Sequence, residues 1–287
     1  MRLLVIASII APSILAAQGG ERISLSWAPA PNQTIQFRIV QDTDVDVVMA
    51  NMPTGAGTAG DPTKLGGKTQ IEMTMRVGAP DAQGRMSAEV VYDSITASMT
   101  VNGAPVSTNS AVAPLQGQTM TATYDAQGAL VDVKGPDSLA ASGVDLKELL
   151  MTLVGRMPTT SLAVGETATI PLDVPFPLPM PGGRSMHLTG QAVYKLISIA
   201  REGDARIANL DYTTDAKMAS ELPIGDRGSL TMDVRMTGGG TCQWNVDRRY
   251  MKASDQKMTF EGSVSGGPDM TMHGTMRVQM EGSARKP

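Results

Sequence analysis

The run Met270-Thr271-Met272-His273 places two thioethers and an imidazole within four residues, a donor set suited to Cu(I) in an exported protein. Strand alternation sends Met270 and Met272 to one face and His273 to the other unless Gly274 marks a bulge, which works against a shared metal. Asp42, Asp44 and Asp46 also alternate along one strand face. They read first as a solvated face and second as calcium ligands, but no glycine stands where an EF-hand type loop needs one. His187 and His273 are the two histidines and Cys242 is the single cysteine. None lies in a local signature of Ser-His-Asp or Cys-His catalysis. Gly55-Ala56-Gly57 and Gly238-Gly239-Gly240 have no helix start behind them, so neither reads as a phosphate cradle. The expectation is a non-enzymatic chain with no catalytic residue, no cofactor and no dedicated metal site; Met-based copper binding is an alternative.

Cys242 falls in step with Trp244 and Val246 in the alternating run 241–246 and reads as a small buried hydrophobe. Methionine is the unusual residue, with 21 in the chain. Many occupy slots where strand alternation calls for an apolar side chain, such as Met73, Met75, Met232 and Met236. Flexible thioethers fill irregular cores, and they also suit a cavity that must adapt to variable apolar ligands.

The elements that position these residues are mainly strands. Ile71, Met73, Met75 and Val77 alternate with Glu72, Thr74 and Arg76; Leu230, Met232, Val234 and Met236 repeat the pattern, as do Ile35, Phe37 and Ile39. Such strands bury one face and wet the other, which favours antiparallel sheets. Turn clusters at 81–84, 125–128, 203–204 and 225–228 separate them. One segment follows a helical period instead: Leu146, Leu149, Leu150 and Leu153 form a stripe at i, i+3, i+4 and i+7. Asp145 can cap its start, and Gly155 with Pro158 can end it. Pro53 to Gly67 reads as a loop, and the five prolines between Pro171 and Pro181 as a stiff, extended connector.

Similar β runs recur on either side of the helix, with Tyr92 matching Tyr212 and Asp125 matching Asp247 at a period of about 120 residues. The expected architecture is mainly β: antiparallel curved sheets, open-barrel or sandwich-like, from two similar β modules joined by one amphipathic helix. The expected organisation is a signal peptide over 1–17, a first β module over 18–135, the helix and Pro-rich connector over 136–187, and a second β module over 188–287.

Met1-Arg2, the apolar run Leu3 to Ile10, Pro12 and the small pair Ala16-Ala17 have the layout of a secretory leader cleaved near Ala17. No cysteine stands at the cleavage site, where Gln18-Gly19-Gly20 follow Ala17, to carry a lipoprotein anchor, so the expected location is secreted or periplasmic. No later stretch has the length of a membrane helix. A formal charge of −4 with no Lys/Arg run lacks the footprint of nucleic-acid binding. Aromatic residues at 3% are too few for the two interfacial girdles of an outer-membrane barrel.

The leader, the alternating strands with the turn Tyr124-Asp125-Ala126-Gln127-Gly128, the Leu146-rich helix and the segment Leu162-Ala163-Val164-Gly165-Glu166-Thr167 resemble a family of secreted bacterial proteins with duplicated β halves. More distantly the layout is similar to periplasmic lipoprotein- and lipid-carrier folds, in which a curved sheet wraps an acyl chain under helices. That resemblance implies a cavity between sheet and helix that binds a lipid or other apolar ligand, or an envelope protein partner. The candidate lining is Leu146, Leu149, Leu150 and Leu153, with Met73, Met75, Met232 and Met236 on facing strands. A structural or adhesive module with a solid core is the competing expectation.

Overall fold

The computed structural model describes residues 21–27, 29–49, 62–106, 116–126, 129–136, 147, 150, 157–177, 185–223, 229–266 and 269–285. The leader at 1–17 and most of the helical stripe, including Leu146, Leu149 and Leu153, lie outside the described residues.

The strands are β1 (Thr34–Met49), β2 (Thr63–Val77), β3 (Met86–Val101), β4 (Ala104–Val106), β5 (Thr119–Tyr124), β6 (Leu130–Lys134), β7 (Thr167–Pro177), β8 (Ser185–Glu202), β9 (Ala205–Pro223), β10 (Ser229–Asn245), β11 (Tyr250–Ser265) and β12 (Met270–Arg285). They form one antiparallel, unclosed sheet in the order β6-β5-β3-β2-β1-β12-β11-β10-β9-β8-β7, with the short β4 paired to β3. The two β runs expected from the sequence are therefore wings of a single sheet. They meet where β1 pairs with β12 over their full length, from Thr34 opposite Arg285 to Met49 opposite Met270. The connection from β6 to β7 must cross from one edge of the sheet to the other.

Several strands are long. β8 and β9 run for 18 and 19 residues, about 60 Å at ~3.3 Å per residue. The well-buried core occupies only one end of this sheet. There Ile35 and Phe37 of β1, Met73 and Met75 of β2, Val90 and Tyr92 of β3, and Leu210 and Trp244 of the second wing share one apolar cluster. Three pieces outside the strands complete it: Ile23, Leu25 and Trp27 near the start, Leu150 and Met157 in the crossing connection, and Leu162. Ile23 and Leu162 form a backbone bridge, each N–H bonding the other's carbonyl at 2.9 Å. Leu150, Met157 and Leu162 of the crossing connection thus pack into the core where it is densest.

Bulges bend the strands at this end. Pairing slips between β2 and β3 so that Asp93 is the extra residue, and between β10 and β11 so that Lys252 is. Each extra residue sharpens local twist and resets which side chains point inward. Tyr92 and Ile95 both face the core although three residues apart, and so do Met251 and Ser254.

The proline stretch departs from the connector expected. Residues 171–177 belong to β7 and pair with β8, Pro171 opposite Gln191 and Pro177 opposite Ser185. Proline has no N–H to give a ladder, which confines it to an edge, and β7 is an edge strand. The loop read from Pro53 to Gly67 is also shorter, because β2 begins at Thr63.

The outer face is polar and charged. Arg277 pairs with Asp255 at 2.5 Å, Arg235 with Asp215 at 2.9 Å, Arg76 with Glu89 at 3.1 Å and Lys68 with Asp42 at 3.4 Å.

Candidate ligand-binding site

Beyond the core, the inner face continues along the long strands toward their distal hairpins. Register alignment gives this region its composition. Met49, Val47 and Val45 of β1 pair with Met270, Met272 and Gly274 of β12. Met258 of β11 pairs with Met276, and Phe260 with Met236. Most of these side chains are half-buried rather than sealed. The result is a methionine-rich apolar surface along the distal half of the sheet.

Between that surface and the core runs a row of a different kind. Thr69, Gln41, Val278, Gln256, Gly240, Tyr212 and Tyr194 stand side by side, one from each of β2, β1, β12, β11, β10, β9 and β8. Four carry hydroxyl or amide groups in addition to Tyr194, and none is charged at neutral pH. Gly240 contributes no side chain, so the row has a gap between Tyr212 and Gln256. A Cβ at Gly240 would run into the carbonyl oxygen of Asp255, which reserves this position for glycine. Here the triplet 238–240 sits within a strand and works through close backbone packing.

A cavity of about 230 Å³ lies over this row. Ile39 and Ile71 line it from the first wing, Tyr194 and Tyr212 from the second, and Met258, Met276 and Met280 from between. Its size exceeds the ~150 Å³ of an apolar cavity that admits benzene. Tyr194 and Tyr212 stack with ring centroids 5.3 Å apart. Burial pushes the phenols of both above the ordinary tyrosine range, so both are neutral at physiological pH. Cys242 also touches the cavity, and burial raises its thiol to about 12. It behaves as the small hydrophobe its alternation implied, not as a nucleophile.

The sequence-derived lining residues are distributed as follows. Met73 and Met75 are fully inside the core, with Phe37 and Ile35 as their cross-strand partners. Leu150, with helical backbone, is buried in the same cluster. Met232 and Met236 are half-buried on the distal inner face, paired with Val264 and Phe260. All five lie on or against the inner face, but none of them lines the 230 Å³ cavity. Of the residues that do line it, Ile39, Ile71 and Cys242 are marked in the sequence as inward-facing apolar positions, Tyr212 only as the repeat match of Tyr92, and Ser254 not at all. The available signal was the glycine triplet inside an alternating run, which marks a strand that leaves space.

The metal alternatives fare differently. Asp42, Asp44 and Asp46 lie on the outer face of β1, with Asp42 beside Lys68. His273 is on the outer face as well, its Nδ1 3.6 Å from Glu261, while Met270 and Met272 belong to the inner face. No group of three or more His, Cys, Asp or Glu among the described residues is arranged to hold a metal ion.

A larger concavity lies elsewhere, an open trough of about 1030 Å³ on the outer face over β11, β12, β1 and β2. Its cations are engaged: Arg76 with Glu89, Lys252 with Glu202, Arg38 with Gln70 and Arg285 with Gln36. An open trough on the solvent face encloses little of a ligand, so the smaller inner cavity is the better candidate.

No protein-family model matches the chain, and no curated protein matches it. Solved structures do. A structure of lipovitellin, titled for lipid–protein interactions, is similar over 89% of this chain at 9% identity and a TM-score of 0.46. The chain spans only 26% of that protein's length. An outer membrane channel from Pseudomonas putida F1 is similar over 89% of this chain and 97% of its own, at 12% identity and a TM-score of 0.19.

No helix among the described residues is long and apolar enough to cross a membrane.

Proposed function

We propose that this chain is an exported, non-enzymatic β protein of the cell envelope that holds an apolar, lipid-like molecule inside its curved sheet. One observation carries the reading: a cavity of about 230 Å³, bounded by both wings and lined mainly by Ile, Met and Tyr, opens beside a half-buried methionine surface. A solid-core module has no reason to leave that space.

The magnitudes are consistent with a chain-like ligand. Each buried methylene contributes ~0.8 kcal/mol, so eight give about 6 kcal/mol before the cost of lost freedom, itself at least ~4 kcal/mol. A short chain filling the cavity alone binds weakly. A longer one gains by laying its remaining methylenes past Met258 and Met276 onto the distal methionines, whose thioethers adapt to irregular contacts.

Titration with the apolar dye 1-N-phenylnaphthylamine tests this. The expected result is saturable fluorescence enhancement with the wild-type chain and at least tenfold weaker binding by Val278→Trp, which fills the cavity. No enhancement with the wild type, or equal enhancement by a folded Val278→Trp, contradicts the reading.

A further inference from the structure

Two hydroxyl groups at the cavity have no hydrogen-bond partner. The Oη of Tyr212 and the Oγ of Ser254 are both buried and both unpaired, in residues only 6% and 7% exposed. Both residues line the cavity. Tyr92 Oη and Trp244 Nε1 are also unpaired, but neither residue lines any of the described cavities. Buried polar groups in folded proteins are almost always satisfied, so an orphan pair beside an open space points to a partner that enters that space.

The placement of the pair is specific. Tyr212 comes from β9 and Ser254 from β11, with Gly240 and Cys242 of β10 between them in register. Ser254 faces inward in step with Gln256 and Met258 of the same strand, and the bulge at Lys252 turns Met251 inward beyond it. Gly240 carries no side chain on the row that Tyr212 shares with Gln256, and Ser254 stands one row nearer the core, opposite Cys242, so the two hydroxyls border the space left at Gly240.

The lining also restricts the partner's charge. Among the described residues it contains no lysine, arginine, aspartate or glutamate. A carboxylate or phosphate placed there would lose its hydration with no cation to offset the loss. A hydroxyl or carbonyl oxygen needs only the hydrogen bonds that the tyrosine and serine can give or accept.

We propose that the ligand is an amphiphile with an uncharged oxygen head, a long-chain alcohol, ester or ketone. The head is held by the Tyr212 and Ser254 hydroxyls, and the apolar remainder lies over Met258 and Met276. This rests on the reading of the cavity as a binding site and adds the class of molecule that it selects.

The test compares 1-octanol, octane and octanoate as competitors of the dye, on the wild type and on Tyr212→Phe and Ser254→Ala. Circular dichroism and the melting temperature of each variant establish that the fold persists. The wild type is expected to bind octanol at least tenfold more tightly than octanoate. Each variant is expected to lower the preference for octanol over octane by about fivefold, the size of one net hydrogen bond, with octane binding unchanged. An unchanged octanol-to-octane ratio in both folded variants overturns the assignment of the head group while leaving an apolar site in place. Octanoate binding as well as octanol overturns the requirement for neutrality. Failure of all three to compete with the wild type removes the site, and this inference with it.

Discussion

The indole N–H of Trp27 donates a hydrogen bond to the hydroxyl of Tyr124 at 3.2 Å, and the same ring lies 5.7 Å from that of Trp244. Tyr124 ends β5 in the first wing, and Trp244 is in β10 of the second. A residue that precedes the first strand therefore joins both halves of the sheet at its core end. An unclosed sheet has no ladder to hold its wings in a fixed curve, so contacts of this kind must do so.

Truncating that joint is expected to be costly. Trp27→Ala removes a buried aromatic from between the wings and should destabilise the chain by about 3–5 kcal/mol. Trp27→Phe keeps most of the ring packing but strands the Tyr124 hydroxyl, for a loss of about 1–3 kcal/mol. Urea unfolding of the two variants checks the order. Equal losses would mean that the ring packing adds nothing beyond the hydrogen bond, and no loss in Trp27→Phe would mean that the hydrogen bond contributes nothing measurable.

Glycine on the inner face makes room for aromatic neighbours. Gly282 is the cross-strand partner of Phe37, and a Cβ there would sit 3.0 Å from the Phe37 ring and against the carbonyl of Met251. Gly274 stands opposite Phe260 in the same way. Gly282→Ala should therefore destabilise by about 1–3 kcal/mol, although alanine is ordinarily tolerated in strands. Thermal unfolding measures it, and an unchanged melting temperature would show that Phe37 can move aside.

Buried acids set the alkaline limit of stability. Burial holds the Cys242 thiol at about 12 against an ordinary 9.0, and the Tyr124 phenol at about 12 against an ordinary 10.0, partly offset by the Trp27 hydrogen bond. Both are protonated in the folded chain while the unfolded chain ionises first. Their contribution is complete below the unfolded values and is lost as pH rises from about 9 toward 12. Denaturant titrations should give nearly constant stability from these groups up to about pH 9 and a decline above it. In the same range, Cys242 should react with iodoacetamide only after unfolding. Fast alkylation of the native chain at pH 8 would mean that the thiol is not enclosed.

Much of the fold is visible in residue types alone. Ile35, Phe37 and Ile39 alternate in sequence and line the core in space, and the prolines of β7 are a composition that only an edge strand tolerates. The candidate site is not visible in the same way. Its polar row takes one residue from each of seven strands spread between Gln41 and Val278, and no local pattern links Gln41 to Tyr212. Ser254 continues the inward alternation of Phe260, Met258 and Gln256, but the bulge at Lys252 turns Met251 inward as well, so alternation alone does not show which of them meets the cavity. Met73 and Met75 show the converse. Their pattern marks an inward face correctly but cannot tell a sealed core from the lining of a space.

Native mass spectrometry of the chain isolated from a host that supplies envelope lipids bears most directly on the central claim. The account predicts a co-purifying apolar molecule at one per chain, released by organic solvent and missing from Val278→Trp. A wild-type chain that carries no such mass, and takes none up when apolar compounds are added, would contradict it.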